Sequence, residues 1–583
     1  MVRISGRAKK RKLNRQFGRV DFLIVFFLIL GSLILGQLFR LQVLQHKVFS
    51  VQAAKQYNIY HTVIAKRGRI FWQDLSTGEN LPLVINRPVY NFYVVPKNIK
   101  DAQLTADILA ELLNQNKHDI LPKLEQYQDP YECLSKGLTE EEKDSIVKIL
   151  SQKKLDKTIY GFEEYFERYY VEDGLSAHLT GFLGFADDGH ERKGQYGLEE
   201  YFDSILRGQN GLILGEKDVF GRPIAIGKRA VKEAKDGQDI ILTIDKNIQY
   251  EACTSLQEYV DRYGALGGAV IIMNSQNGKL YALCASPNFN SNDYGEEIAA
   301  NFVNPAVALE YEPGSIFKPI VMAAALDTGK ITPWTTYLDT GSVRIGNYTI
   351  RNFDGKAHGT NTMVDVLNKS LNTGAIFAMR SAGAAVFADY VDGFGFGKLT
   401  GIELASEVDG DISSLQQIKE IYAATASFGQ GITVTPIQLI AAYAAIARGG
   451  TLVRPTIIET IDDSFKLREG NRVISKETAD TLTMMLVSAV QNGYDKKAAV
   501  SGYKIAGKTG TAQVPKSDGP GYSEETIHSF IGFGPVGNRS PSFVILIKLD
   551  KPTAVRFASD STAPLFGELI KFLLNYFEIP PEE

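Results

Sequence analysis

The chain of 583 residues is poor in cysteine, with only Cys133, Cys253 and Cys284, an odd and widely separated set. Such a set excludes a disulfide-stapled scaffold and has no metal-ligand spacing, so all three are expected to be small buried hydrophobes. The seven histidines (His46, His61, His118, His178, His190, His358 and His528) are scattered, with no HExxH and no His-Cys cluster, and zinc chemistry is not expected. Literal matches to GxxxxGK[ST] (Gly502 to Thr509) and GxGxxG (Gly532 to Gly537) both fall on β-like runs rather than opening a helix after a strand, so neither reads as a nucleotide-binding motif, which argues against a nucleotide-dependent enzyme. No cofactor and no metal is expected. The 53 glycines and 21 prolines are spread along the chain, which excludes collagen-like and low-complexity architectures.

What is present begins with charge. The first 19 residues hold eight cations (Arg3, Arg7, Lys9, Lys10, Arg11, Lys12, Arg15 and Arg19) and no acid; taking these eight from a net charge of −4 leaves −12 for the rest. A mildly acidic body does not suit nucleic-acid binding. Phe22 to Phe39 follows as eighteen uncharged, largely apolar residues. At about 1.5 Å per residue in a helix, that run just crosses a hydrocarbon layer of about 30 Å. It is long for a signal-peptide core and no small-x-small cleavage site follows, so it reads as an uncleaved single-pass anchor. The cations ahead of it predict a cytoplasmic N-terminus, with the body on the other side of the membrane.

Four segments are expected: a basic tail (1–21), a transmembrane helix (22–40), a mixed first domain (41–235) and a second domain (236–583). The first domain shows β-like runs such as Val89 to Pro96 and charged helical stretches such as Leu138 to Leu155, without a cluster of catalytic groups. In the second, two β-rich runs flank the turn Asn277-Gly278, which predicts a hairpin. Three more strand candidates (YKIAGKTGTAQ, HSFIGFGPV and SFVILIKLD) precede a closing helix, STAPLFGELIKFLLNYF. Strands gathered at both ends with helices between predict an α+β domain, an antiparallel sheet flanked by helices.

An SxxK tetrad can set a hydroxyl and an amine on one helix face, since positions i and i+3 are neighbours. Four tetrads occur, starting at Ser145, Ser151, Ser315 and Ser501. Ser145 and Ser151 sit in the charged helical stretch and Ser501 leads into a strand. Ser315 alone follows Glu312-Pro313-Gly314 and opens an apolar helix, where its hydroxyl meets the positive helix end. Further on come an SxN, Ser370-Leu371-Asn372, and the chain's one KTG, Lys508-Thr509-Gly510, placed at the end of a predicted strand. Other SxN triplets, such as Ser286-Pro287-Asn288, precede Ser315 and fall outside the order. Each triplet alone means little, but the ordered set with spacings of 55 and 138 residues is much more specific, a triplet of the kind found in penicillin-binding proteins and β-lactamases.

On these motifs the sequence resembles the class B penicillin-binding proteins, the membrane-anchored transpeptidases of bacterial wall synthesis. Similar stretches include GQDIILTIDKNIQ, GKLYALCASPNFNSN, EPGSIFKP, NKSLNTG, FGQGITVTPIQL and AGKTGTAQ, spanning roughly Gly237 to Asp550. In the first half, AKRGRIF is similar to the family's Arg-Gly motif, and SAHLTGF with GQYGLEEYFDSILRG to its pedestal signature. One departure is Trp72-Gln73-Asp74, where the family usually has an aspartate-arginine-asparagine-glycine turn.

The resemblance implies a penicillin-binding, serine transpeptidase fold behind the anchor and an elongated α+β pedestal. It implies Ser315 as nucleophile on a D-alanyl-D-alanine stem peptide and Lys318 as its base. Burial and the nearby cation Lys508 would lower the pKa of Lys318. Ser370 would relay a proton to the leaving amine, and Asn372 would hold Lys318 and the substrate amide. Lys508, Thr509 and Thr511 would bind the terminal carboxylate, and the backbone N–H groups of Ser315 and Thr511 would form the oxyanion hole. Gly510 would let its strand approach the substrate. Asp245 and His528 are read as structural. β-Lactams are implied as acylating ligands, and a multi-spanning glycan polymerase as partner, because no glycosyltransferase motif of the EDxxFxxHxG kind follows the anchor. Lengths look more like those of the division enzymes. The other readings are a D,D-carboxypeptidase or β-lactamase, a sensor, for which about 20 cytoplasmic residues are too few, and a scaffold for other wall enzymes.

Overall fold

The computed structural model describes residues 18–50, 58–172, 174–185, 192–216, 230–461, 469–516, 519, 521–537 and 542–581. The tail cations Arg3 to Arg15, together with His190, Lys228 and Arg229, lie outside the described residues. The chain forms two compact units, one of residues 1–65 with 209–235 and one of residues 66–208 with 236–583.

In the first unit, helix α1 (Arg19–Phe39) carries the apolar run and continues through a π-helical turn, Arg40–Leu44. Among the described residues it is the one helix long and apolar enough to cross a membrane, and none of its residues is buried. A three-stranded antiparallel sheet of Asn58–Val63, Gly211–Glu216 and Ala230–Lys232 completes this unit.

The second unit holds two larger sheets. The first contains β1 (Ile70–Asp74), β2 (Glu79–Val94), β3 (Glu132–Leu138), β4 (Tyr160–Tyr170), β5 (Ile240–Asp245) and Ile458–Ile461. Strand β5 pairs parallel with β1 and antiparallel with Ile458–Ile461, so residues from both halves of the sequence share one sheet. Beside it, the family-like motifs of the first half meet. Arg67 of AKRGRIF bonds Glu199 of GLEEY through Nε at 2.7 Å, and Arg168 of β4 reaches the other oxygen of Glu199, also at 2.7 Å. Arg67 also pairs with Asp203 at 3.0 Å. Glu199 is fully buried, and a buried carboxylate is costly unless it is paired and hydrogen-bonded as it is here. At the departure from the family pattern, β1 runs on through Trp72-Gln73-Asp74 with the Trp72 ring buried.

Beyond β5 follow α2 (Lys246–Tyr263) and the expected hairpin, β6 (Gly267–Asn274) and β7 (Leu280–Ser286). Asp245 caps α2 by accepting from the Ile248 N–H at 2.8 Å, a structural role. Helices α3 (Lys318–Asp327), α4 (Asn372–Ala382), α5 (Pro436–Ala447) and α6 (Lys476–Asn492) come next. The chain closes with β8 (Ala506–Pro515), β9 (Tyr522–Gly534), β10 (Phe543–Asp550) and α7 (Thr562–Tyr576). The second sheet runs β7-β6-β10-β9-β8, antiparallel throughout. All eight residues of β6 and all seven of β7 are buried, because apolar layers cover both faces. One layer contains α2 and α7. The other contains α3, α4, α5 and α6.

The structure corrects the cysteine reading. Cys253 on α2 and Cys284 on β7 form a disulfide, with Cα atoms 5.2 Å apart. The packing of α2 on β7 brings together two residues that are 31 apart in sequence, and no spacing rule anticipates that pair. Cys133 is the free cysteine.

Candidate active site

Ser315 lies in a 3-10 turn, Gly314–Phe317, rather than at the start of the α-helix itself. Lys318 opens α3 directly afterwards. Ser315 is half-buried and Lys318 is fully buried. Three neighbours fix the turn. The Gly314 N–H donates to the Gly429 carbonyl at 3.0 Å, and the Tyr443 hydroxyl of α5 donates to the Ile316 carbonyl at 2.6 Å. The third is Gly510 on β8, where an added Cβ would stand 3.0 Å from both the Pro313 carbonyl oxygen and Ile316 Cγ2. The missing side chain at Gly510 therefore lets β8 approach the serine turn.

Lys318 reaches the second motif. Its Nζ donates to the Ser370 carbonyl at 2.6 Å and to Ser370 Oγ at 3.2 Å. Burial, and then the charge of Lys508, push the Lys318 amine well below the ordinary lysine range, while Asp495 pulls the other way. Ser370 has φ +54°, a left-handed conformation uncommon outside glycine. Asn372 does not bond Lys318. Its Nδ2 donates to the Arg351 carbonyl at 3.0 Å, and it is the first residue of α4. Behind it, Thr373 Oγ1 donates to the buried Asp339 at 2.8 Å and Tyr494 N–H to the Asn368 carbonyl at 3.1 Å.

The KTG occupies the third to fifth residues of the ten-residue strand β8, near its start, since pairing with β9 continues to Pro515. Lys508 is fully buried and ion-paired with Asp495 at 3.2 Å. The hydroxyl and N–H of Thr509 both donate to Asp495 Oδ1. The Thr509 proton is thus committed inside the protein. Thr511 differs: its hydroxyl accepts from the Ala558 N–H at 3.1 Å, which leaves its own proton free to donate. His528, opposite Thr511 on β9, is buried between Ser561 and Thr526, with its imidazole pushed down to about 4 by desolvation, in keeping with a structural role.

The sequence reading missed several residues of this constellation. Asp495, fully buried, precedes a short 3-10 turn and has no periodic or motif context. Glu312, just ahead of the serine turn, accepts from the Gly431 N–H at 2.9 Å and the Tyr522 hydroxyl at 3.2 Å, and burial raises its carboxyl. The family-like stretch FGQGITVTPIQL was a signal for Gly429, which packs on Gly314; nothing local marked Asp495. Among the described residues no cluster of His, Cys, Asp and Glu suits a metal ion.

Both halves of the chain are similar to known proteins. A family model described as "Penicillin binding protein transpeptidase domain" matches residues 268–571, and one described as "Penicillin-binding Protein dimerisation domain" matches residues 62–242. The chain is 31% identical to stage V sporulation protein D of Bacillus subtilis over 514 residues, covering 86% of this chain and 77% of that protein. It is 29% identical to peptidoglycan D,D-transpeptidase FtsI of Escherichia coli K12 over 517 residues, 86% of this chain and 83% of the relative. The fold is similar to that of penicillin binding protein 2X from Streptococcus thermophilus, with a TM-score of 0.75 at 23% identity, covering 89% of this chain and 80% of that one. With both halves matched in this order and the three motifs drawn into one site, the chain belongs to the class B penicillin-binding proteins.

Proposed function

We propose that this protein is a serine-type D,D-transpeptidase that cross-links peptidoglycan stem peptides through an acyl-enzyme on Ser315. The observation that carries the reading is the fully buried Lys318, its amine depressed by burial and by Lys508 and bonded to Ser370, three residues after a half-buried serine. A neutral amine has two N–H bonds and one lone pair. Both N–H bonds go to Ser370, so the lone pair remains to take the Ser315 proton. Ser315 Oγ then bonds to the carbonyl carbon between the two D-alanines while the backbone N–H groups of Ser315 and Thr511 hold the oxyanion. When that intermediate collapses, the peptide C–N bond breaks and the proton held by Lys318 passes through the Ser370 hydroxyl to the departing D-alanine amine. An amine from a neighbouring stem peptide attacks the ester next, forming the cross-link and freeing Ser315. Asn372 borders the peptide being joined, while the free hydroxyl proton of Thr511 receives the terminal carboxylate, with the buried charge of Lys508 attracting it from behind.

The names of the relatives, a peptidoglycan D,D-transpeptidase and a sporulation protein, support a wall-synthesis role, with division the closer setting. We assign residues 1–21 to a cytoplasmic tail, 22–40 to the membrane span, 41–235 to the pedestal and 236–583 to the catalytic domain. The disulfide supports placing the catalytic part on the non-cytosolic side, since disulfides persist in oxidising compartments. A multi-spanning glycan polymerase is the expected partner for strand synthesis. The test is labelling with fluorescent penicillin: the wild type is labelled and Ser315→Ala is not, whereas a label that persists in the variant overturns the assignment.

A further inference from the structure

Two lysines and one carboxylate are buried together behind the serine. Lys318 comes from α3, Lys508 from β8, and Asp495 from the turn after α6; each is 0% exposed. The buried phenol of Tyr443 on α5 also lies within reach of the Asp495 charge. Asp495 is held firmly. Its Oδ1 accepts from the N–H and hydroxyl of Thr509, its Oδ2 lies 3.2 Å from Lys508 Nζ, and its own segment is tied through the Tyr494 N–H to Asn368, two residues before Ser370. This short segment thus ties the third motif to the residues just before the second.

A buried ammonium without a counter-ion gives up its proton or opens the structure, because desolvation disfavours the charged form. Lys508 has water on no side, and its other acceptors, the Thr509 carbonyl and hydroxyl oxygens, are uncharged. We propose that Asp495 is a positioning residue that, through its buried ion pair, holds Lys508 in place, and so confers on the site its preference for a ligand bearing a free carboxylate. The inference rests on the proposed transpeptidase reading, in which the buried charge of Lys508 attracts the terminal carboxylate, and it adds a residue outside the three motifs. Asp495 touches no substrate in this scheme; it acts through Lys508 and Thr509.

The experiment compares acylation of the full chain by benzylpenicillin and by its uncharged methyl ester, in the wild type and in Asp495→Asn, a change of the same size that removes the charge and, with the remaining oxygen on Thr509, the acceptor facing Lys508. The wild type is expected to favour the free acid by at least tenfold, and D495N to bring that ratio several-fold closer to one. A purely structural role would slow both ligands by the same factor, so an unchanged ratio, or a larger one, overturns the proposal. Should D495N fail to fold, Asp495→Ser, which keeps an oxygen for Thr509 and admits water, carries the same comparison. A wild type that neither ligand acylates overturns the transpeptidase reading and this inference with it, whereas a labelled wild type with an unchanged ratio overturns the inference alone.

Discussion

Ser370 presents two oxygens to one atom of Lys318: its carbonyl lies 2.6 Å and its hydroxyl 3.2 Å from Nζ. The left-handed backbone at Ser370, φ +54°, accompanies this convergence. Such a conformation costs on the order of 1 kcal/mol or more in a non-glycine residue and persists where surrounding contacts over-determine it. Here those contacts are the turn after residues 363–368 and the buried Leu371 that follows.

Because burial and Lys508 both hold the Lys318 amine below its ordinary range, the base is neutral at pH values where a free lysine is charged. Acylation by penicillin should therefore hold its rate as pH falls from the ordinary lysine range, and fail only as pH drops through the lowered value. Lys508→Gln removes the lowering charge and leaves Asp495, which raises the Lys318 value, so the acid limb should move to higher pH. Rate-against-pH curves for wild type and K508Q check this, and a limb that stays put or moves down contradicts it.

Gly510→Ala should impair chemistry without unfolding the protein. The new Cβ would stand 3.0 Å from the Pro313 carbonyl oxygen and Ile316 Cγ2, so β8 and the serine turn must separate by a few tenths of an ångström. Misplacement of this kind is expected to slow acylation at least tenfold. Stopped-flow acylation beside a thermal unfolding curve would separate the two effects.

Glu199 joins Arg67 and Arg168 in the first half of the chain. Glu199→Gln leaves two guanidinium groups short of their buried counter-charge, an effect of about 3–5 kcal/mol in comparable pairs. Chemical denaturation should register the loss, and a change under about 1 kcal/mol would mean that Asp203 compensates.

The disulfide between Cys253 and Cys284 closes a segment with a separation of 31 residues. Chain-entropy bookkeeping for a loop of that size gives about 3–4 kcal/mol. The doubly substituted C253S/C284S protein, or the wild type in strong reductant, should unfold at correspondingly lower denaturant.

His528 has a folded-state value of about 4 against 6.5 for a free imidazole. Between these two the unfolded chain binds a proton that the folded chain refuses, so stability falls as pH drops from about 6.5 to about 4 and levels off below. At about 1.4 kcal/mol per unit, the imidazole contributes on the order of 3 kcal/mol to this loss. His528→Asn should flatten that part of the stability profile, and an unchanged slope would assign the acid sensitivity to other groups.

Much of the catalytic architecture was legible in sequence because it depends on local pattern. The hairpin around Asn277-Gly278, the three late strands and the closing helix all appear where alternation, turn residues and apolar runs place them. What was not legible depends on approach between distant segments. Ser315 in its 3-10 turn, the role of Gly510 toward Pro313 and the contact of Asn372 with Arg351 each follow from a neighbour that no window of sequence contains.

By itself the sequence determined the apolar N-terminal helix, the ordered SxxK, SxN and KTG motifs and the side chains available for chemistry, since these are properties of composition and spacing. Only the tertiary structure decided which buried charges compensate one another and which cysteines meet. Asp495 finds Lys508 because the turn after α6 packs against β8, and Cys253 finds Cys284 because α2 lies on β7. Coulombic and covalent pairing depend on distance in space, and the fold sets that distance.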